Sequence, residues 1–309
     1  MKLIFRVYLF YFFILFIIIN LFSCSDNSNK KKGEDGDFYI PDSLYEEQSV
    51  EIEENQTANI IYNISSPIEM ASLIKKEGIP FSTDYLSQVE DKSIYNNEFK
   101  KSIALGIYIA DLGYLNIYNK NTSILSYISF IRDLAEDIKV GQFFDFSTLK
   151  RLAMNNDDLD ALIKISVSSF NKMDEHLRKN DRGRLSALLI SGVWIEGLYL
   201  ATQVVKQSKS HEIKERIGEQ KLVLNELLSI LENYKSDEQV QKLINNFKLL
   251  EIEFNKIKIT YEVGEPESIE ENGMFIIVQN EKSIINIPKG QMKKIVELTK
   301  KIRNQLTSS

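Results

Sequence analysis

Two carboxylic acids stand inside apolar helical sequence: Asp111 in GIYIADLGYL (residues 106–115) and Glu196 in GVWIEGLYL (residues 192–200). On a helix, residues three and four apart share a face. Asp111 then lies beside Ile107, Tyr108, Tyr114 and Leu115, and Glu196 beside Gly192, Val193, Tyr199 and Leu200. A carboxylate in such surroundings is costly unless it is hydrogen-bonded or paired, and desolvation raises its pKa. Two outcomes are open. Asp111, Glu196, Tyr114, Tyr199 and Trp194 line an acidic, aromatic pocket for a cation or a polar small molecule. Alternatively, the acids bond to Tyr hydroxyls or a helix N-terminus inside the core, and Trp194 and the tyrosines are packing. Gly106, Gly113, Gly192 and Gly197 each cost about 1 kcal/mol of helix propensity relative to Ala, which a close helix–helix contact or room for a ligand offsets.

The two segments echo one another once a single residue is skipped: Gly, β-branched, aromatic, Ile, then an acid, Gly and Tyr-Leu. In each case a polar turn, an amphipathic helix and an Asp-led helix follow (Asp157-Asp158, and Asp237-Glu238). This pattern predicts a duplicated three-helix unit, about residues 94–179 and 181–257.

Other chemistries are poorly served. The chain has two histidines and one cysteine. His176 and His211 sit among charged residues and are expected to face solvent. There is no Glu-x-x-His pair of the di-iron type and no His-Glu-x-x-His zinc motif. Gly-x-Ser-x-Gly, the P-loop and the Gly-rich dinucleotide turn are also missing, so nothing calls for a metal or a cofactor. Paired carboxylates could hydrolyse a polymer, but no particular pair is singled out and no catalytic residue is assigned. The charged run Lys209 to Glu219 reads as a solvated helix face.

The N-terminus carries an address. Lys2 and Arg6 precede the apolar stretch Val7 to Phe22, and Ser23-Cys24 closes it, the layout of a secretory signal. An uncleaved transmembrane helix is the alternative, since a span needs ~17–25 residues. Leu21-Phe22-Ser23-Cys24 resembles the bacterial lipobox. That resemblance implies cleavage after residue 23, palmitate-type acyl chains on Cys24, and an anchor in the membrane through lipid alone. Ser25, rather than Asp, follows the cysteine, as in lipoproteins that are not held at the inner membrane, which points to the outer membrane and leaves its face open. With Cys24 lipidated no thiol remains for a disulfide or a zinc site. Removing residues 1–23 takes away two cations and no acid, making the formal charge of −6 more negative by two. Such a body has no bulk attraction for nucleic acid or anionic headgroups.

Residues 24–60 are polar and charge-rich and read as a flexible tether. Asp42-Ser43-Leu44 there resembles the short O-glycosylation acceptor of the Bacteroidetes. Ser65-Ser66-Pro67 suits a helix start, and residues 61–309 are predicted to form the folded domain. Helical spacing covers 67–77, 82–90, 94–119, 121–139, 147–154, 156–179, 181–207, 210–234, 236–257 and 290–306. Residues 258–288 break it with short β runs at Ile259 to Tyr261, Met274 to Val278 and Ser283 to Ile287. A turn at Gln279 to Lys282 is expected to make a hairpin of the last two. The fold class is mainly α, an irregular multi-helix bundle with an internal duplication and a small C-terminal β-hairpin.

The lipobox, ALGIYIADLGY (104–114), GVWIEGLY (192–199), and the hairpin before a final helix containing Lys301-Ile302-Arg303 together resemble helical lipoproteins of the Bacteroidetes. The resemblance runs from about Ser66 to Leu306 and implies a lineage and an envelope location, but no activity. Three functions follow: a non-enzymatic envelope lipoprotein that binds a partner protein or serves as a scaffold; a small-ligand binding or sensing module centred on Asp111 and Glu196; and a carboxylate-dependent hydrolase of envelope polymers.

Overall fold

The computed structural model describes residues 66–307, apart from 90–91, 156–158, 209, 265, 272–273 and 279–280. These fall within the unit Val50–Ser309. The expected signal (1–23) and tether (24–60), with Cys24, lie outside the described residues. Nine α-helices are present among the described residues. They are α1 (Ser66–Lys76), α2 (Glu98–Ile117), α3 (Asn121–Asp137), α4 (Phe146–Asn155), α5 (Leu159–Lys179), α6 (Gly183–Val205), α7 (His211–Glu232), α8 (Glu238–Phe254) and α9 (Gln291–Thr307). Strands β1 (Lys258–Val263), β2 (Glu267–Glu271), β3 (Met274–Val278) and β4 (Glu281–Asn286) lie between α8 and α9. The fold is mainly α with a small C-terminal antiparallel ribbon.

Local chemistry sets the helix ends. The Asn97 side chain accepts from the Lys100 amide at 2.9 Å to start α2, and Asp237 accepts from Gln239 and Val240 to start α8. Both satisfy amides that the first helical turn leaves unbonded. Gly78 (φ 73°), Asn119 (φ 57°) and Asp181 (φ 57°) reverse the chain after α1, α2 and α5, residue types that tolerate the left-handed region.

Helix α6 is the axis of the bundle. Only Arg184 and Gly197 along it escape burial, as expected of a helix that is apolar all round. It is long and apolar enough to cross a membrane, yet 94% of its apolar window is buried inside the protein. Helix α2 packs most extensively against it, and α1, α5, α7 and α9 cover its other sides. Helix α3 lies on α2, and α8 lies on α7.

Two local expectations change. In the segment expected as a helix over 82–90, the described residues form a 3₁₀ turn, Thr83–Tyr85, followed by irregular chain to residue 89. Tyr85 and Leu86 pack on the core while Val89 is exposed, and the backbone is bonded by side chains from elsewhere in the bundle, as shown below. The hairpin is also longer and paired otherwise. β1 pairs with β4, from Lys258↔Asn286 to Val263↔Glu281. β2 pairs with β3, from Glu267↔Val278 to Glu271↔Met274. The runs at 274–278 and 283–287 thus belong to separate ladders, and Glu281 and Lys282 are strand rather than turn. Ile285 seats the ribbon on α7, where a Cβ on Gly218 would come within 2.6 Å of its Cγ2.

Candidate functional site

The two glycines that begin the echoed segments face each other. A Cβ on Gly106 would run into the Leu189 carbonyl oxygen and stand 2.7 Å from the Val193 amide; one on Gly192 would run into the Ile103 carbonyl oxygen. The contacts are reciprocal, each glycine resting on the residue three before the other. Side chains are therefore excluded at the crossing, and the α2 and α6 backbones touch. Asp111 lies five residues beyond Gly106, and Glu196 four beyond Gly192. At 1.5 Å per residue, both reach about the same height past the crossing, and there the two carboxyls meet.

Both acids are fully buried, at 0% exposure. A third element delivers the countercharge: Arg303 of α9, 9% exposed, donates to Glu196 from Nε at 2.8 Å and from Nη2 at 3.0 Å. Its Nη2 also reaches Ser87 Oγ at 2.6 Å, and its guanidinium lies over the Tyr199 ring, 4.6 Å from the centroid. Asp111 Oδ2 accepts from the Ser87 amide at 2.9 Å. Asp111 Oδ1 faces no donor.

That orphan atom favours a protonated Asp111. Two carboxylates and one guanidinium would leave a net negative charge in a dry interior, with Oδ1 unsatisfied. A proton on Asp111 removes both penalties, because the acid can then donate to Glu196. The electrostatics agree: burial first, then the neighbouring Glu196 charge, push the Asp111 pKa well above the carboxylate range, against the opposing pull of Arg303 and the Ser87 amide. Burial also raises Glu196, with Arg303 holding it back. Burial disfavours the Arg303 charge, but Glu196 more than offsets this and lifts its pKa above the ordinary value. With that proton in place, the cluster is a neutral acid beside a buried Glu196–Arg303 ion pair.

The segment over the cluster is held from below. Tyr118 donates to the Ile79 carbonyl at 2.6 Å, Tyr108 to the Gln88 carbonyl at 2.5 Å, and Tyr127 to the Ser87 carbonyl. Tyr114 Oη accepts from the Ser82 amide at 3.1 Å, and Tyr85 Oη accepts from Gln207. Phenols and the Asp111 carboxyl thus take backbone bonds that a helix over 82–90 would have made internally.

Of the residues singled out from sequence, Asp111, Glu196 and Tyr199 come together. Tyr114 is placed elsewhere, stacked on Phe81 with centroids 5.5 Å apart. Trp194 points to the far side of α6, donating to Gln220 at 3.1 Å and packing edge-on against Phe247. Arg303, Ser87 and Tyr127 were missed. Arg303 had a signal, because it shares the apolar face of α9 with Ile295, Val296, Thr299 and Ile302, where a solvated arginine has no place. His176 and His211 are exposed, as expected. Among the described residues no three His, Cys, Asp or Glu side chains converge as a metal would need. No family model, curated protein or solved structure matches the chain.

Proposed function

We propose that this protein is a lipid-anchored cell-envelope lipoprotein of the helical Bacteroidetes kind, held by acyl chains on Cys24 at the outer membrane, with a non-enzymatic binding or scaffolding role. The observation that carries the non-enzymatic reading is the closure of the acid cluster. Both carboxyls are sealed from solvent, Glu196 is held by Arg303, and Asp111 is held by the Ser87 amide. A glycosidase needs two carboxyls ~5–9.5 Å apart around a substrate, whereas these two touch. Their geometry supports the structural reading of Asp111 and Glu196, in which they fasten α9 and the 82–89 segment to the α2–α6 pair.

Two measurements test this. Intact mass of the membrane-extracted protein should show a chain beginning at an acylated Cys24, and Cys24→Ala should abolish the acylation. An uncleaved, unmodified N-terminus would instead mean a transmembrane helix. For activity, the purified protein is incubated with envelope polymers. Release of soluble fragments that Asp111→Asn abolishes, in a variant that still folds, would overturn the non-enzymatic reading.

A further inference from the structure

Away from the acid cluster, a groove of about 300 Å³ runs between α7 and the β1–β4 ladder. Leu222, Val223, Ile259 and Tyr261 supply its apolar wall. Leu222 and Tyr261 remain 44% and 55% exposed, although each is large and apolar. The volume lies at the lower end of the range for small-molecule sites, roughly 300–1,000 Å³.

Three charges line the groove: Arg216, Glu219 and Glu226. Two are already matched. Arg216 bonds Glu219 at 3.1 Å, and Glu219 also accepts from Ser283 at 3.2 Å. The third is not. Glu226 Oε2 is buried without a hydrogen-bond partner, and none of the ion pairs among the described residues includes Glu226. Burial alone shifts its pKa, upwards, as expected for a carboxylate with no cation to hold its charge. Nearby polar groups are engaged: Gln220 Oε1 by Trp194, and Lys221 Nζ by the Ile257 carbonyl at 2.9 Å.

We propose that this groove binds a primary ammonium group on an apolar stem, the ammonium on Glu226 and the stem against Leu222, Val223, Ile259 and Tyr261. One unsatisfied oxygen suits the point charge of an ammonium, whereas the planar fork of a guanidinium asks for two parallel acceptors. A divalent cation would need several oxygen ligands, and Glu219 is spent on Arg216. The aromatic ring of Tyr261 adds a face that attracts cations. A free alkylamine and a lysine side chain share this chemistry.

The test is ligand-observed NMR on the full chain in non-ionic detergent near neutral pH, with butylammonium as probe. Saturable binding is expected. It should weaken at least tenfold in Glu226→Gln, and equally in Leu222→Trp, which fills the groove from an exposed position and spares the fold. Glu297→Gln, an exposed carboxylate on α9, should bind as wild type. Tighter binding of Nα-acetyl-lysine methylamide than of butylammonium assigns the site to a protein side chain, and the reverse order to free amines. Equal binding by wild type and Leu222→Trp, absence of saturable binding, or a preference for calcium over butylammonium would overturn the proposal.

Discussion

Replacing Arg303 with Met removes the only cation in the buried cluster while keeping most of the apolar stem. Glu196 then loses two charge-assisted bonds, at 2.8 and 3.0 Å, and Ser87 loses one at 2.6 Å. Glu196 can stay charged and unpaired, or it can take up a proton. With an ordinary glutamate pKa of about 4.3, neutrality at about pH 7 costs about 2.7 pH units at about 1.4 kcal/mol each, or about 3.7 kcal/mol. This caps the electrostatic loss, and the Ser87 bond adds about 1 kcal/mol. A total of about 4–5 kcal/mol matches the usual cost of stripping one partner from a buried ion pair. The sign of the pH dependence is fixed. In the variant the folded-state pKa of Glu196 is raised, so that group's contribution is present below about pH 4.3 and lost as pH rises. The deficit against wild type should therefore shrink by about 1.4 kcal/mol for each pH unit of acidification from neutrality. Urea unfolding followed by the fluorescence of Trp194, the sole tryptophan and 2% exposed, measures both. A deficit below about 1 kcal/mol, or one that does not narrow on acidification, would mean that Arg303 does not hold the charge of Glu196.

Further outcomes follow from the same geometry. Gly106→Ala and Gly192→Ala each drive a methyl into a backbone carbonyl that cannot rotate away. Each should cost at least about 3 kcal/mol, read as a drop in melting temperature, whereas Gly78→Ala meets no neighbouring atom and suffers only its strained φ. Tyr127→Phe leaves the Ser87 carbonyl without its donor and should cost about 1–3 kcal/mol; protection of the Ser87 amide against hydrogen exchange should fall with it.

Much of the bundle was legible because its signals are local. Asp237, Gly78, Asn119 and Asp181 mark helix ends through their own side chains or backbone freedom, whereas the cap Asn97 falls inside the stretch expected as helix from 94 and α2 starts only at Glu98. The 3.6-residue spacing of apolar positions shows wherever a helix has one wet side. The acids Asp111 and Glu196 stood out against their apolar setting, and they do meet. What local signals could not provide is the partner of a distant group. Phe81, Tyr85, Leu86 and Val89 recur at near-helical intervals, yet Asp111 and the phenols of Tyr108, Tyr114, Tyr118 and Tyr127 take backbone bonds of Ile79, Ser82, Ser87 and Gln88, so no helix forms. The ribbon misled for a related reason. Five apolar residues at 274–278 look like the mate of 283–287, but β3 pairs with the polar strand before it, Glu271 opposite Met274, and leaves β4 to β1. Arg303 is 107 residues from Glu196, and only its place on the apolar stripe of α9 marked it.

In this reading Asp111 carries a proton in the folded protein and the cluster is structural. Asparagine is the near-isostere of that neutral acid. It can accept from the Ser87 amide and donate to Glu196 as the protonated acid does. Because the Asp111 pKa is raised on folding, its contribution is complete below about pH 3.9 and is lost as pH rises towards the folded-state value. Over that window wild type should lose about 1.4 kcal/mol per pH unit relative to Asp111→Asn. The decisive measurement is the unfolding free energy of both proteins from mildly acidic to mildly alkaline pH. Asp111→Asn should become at least as stable as wild type towards alkaline pH, with the difference moving in its favour until pH passes the folded-state pKa of Asp111. A variant less stable than wild type by a constant amount at every pH would mean that Asp111 is ionised, and that its charge is what holds Arg303.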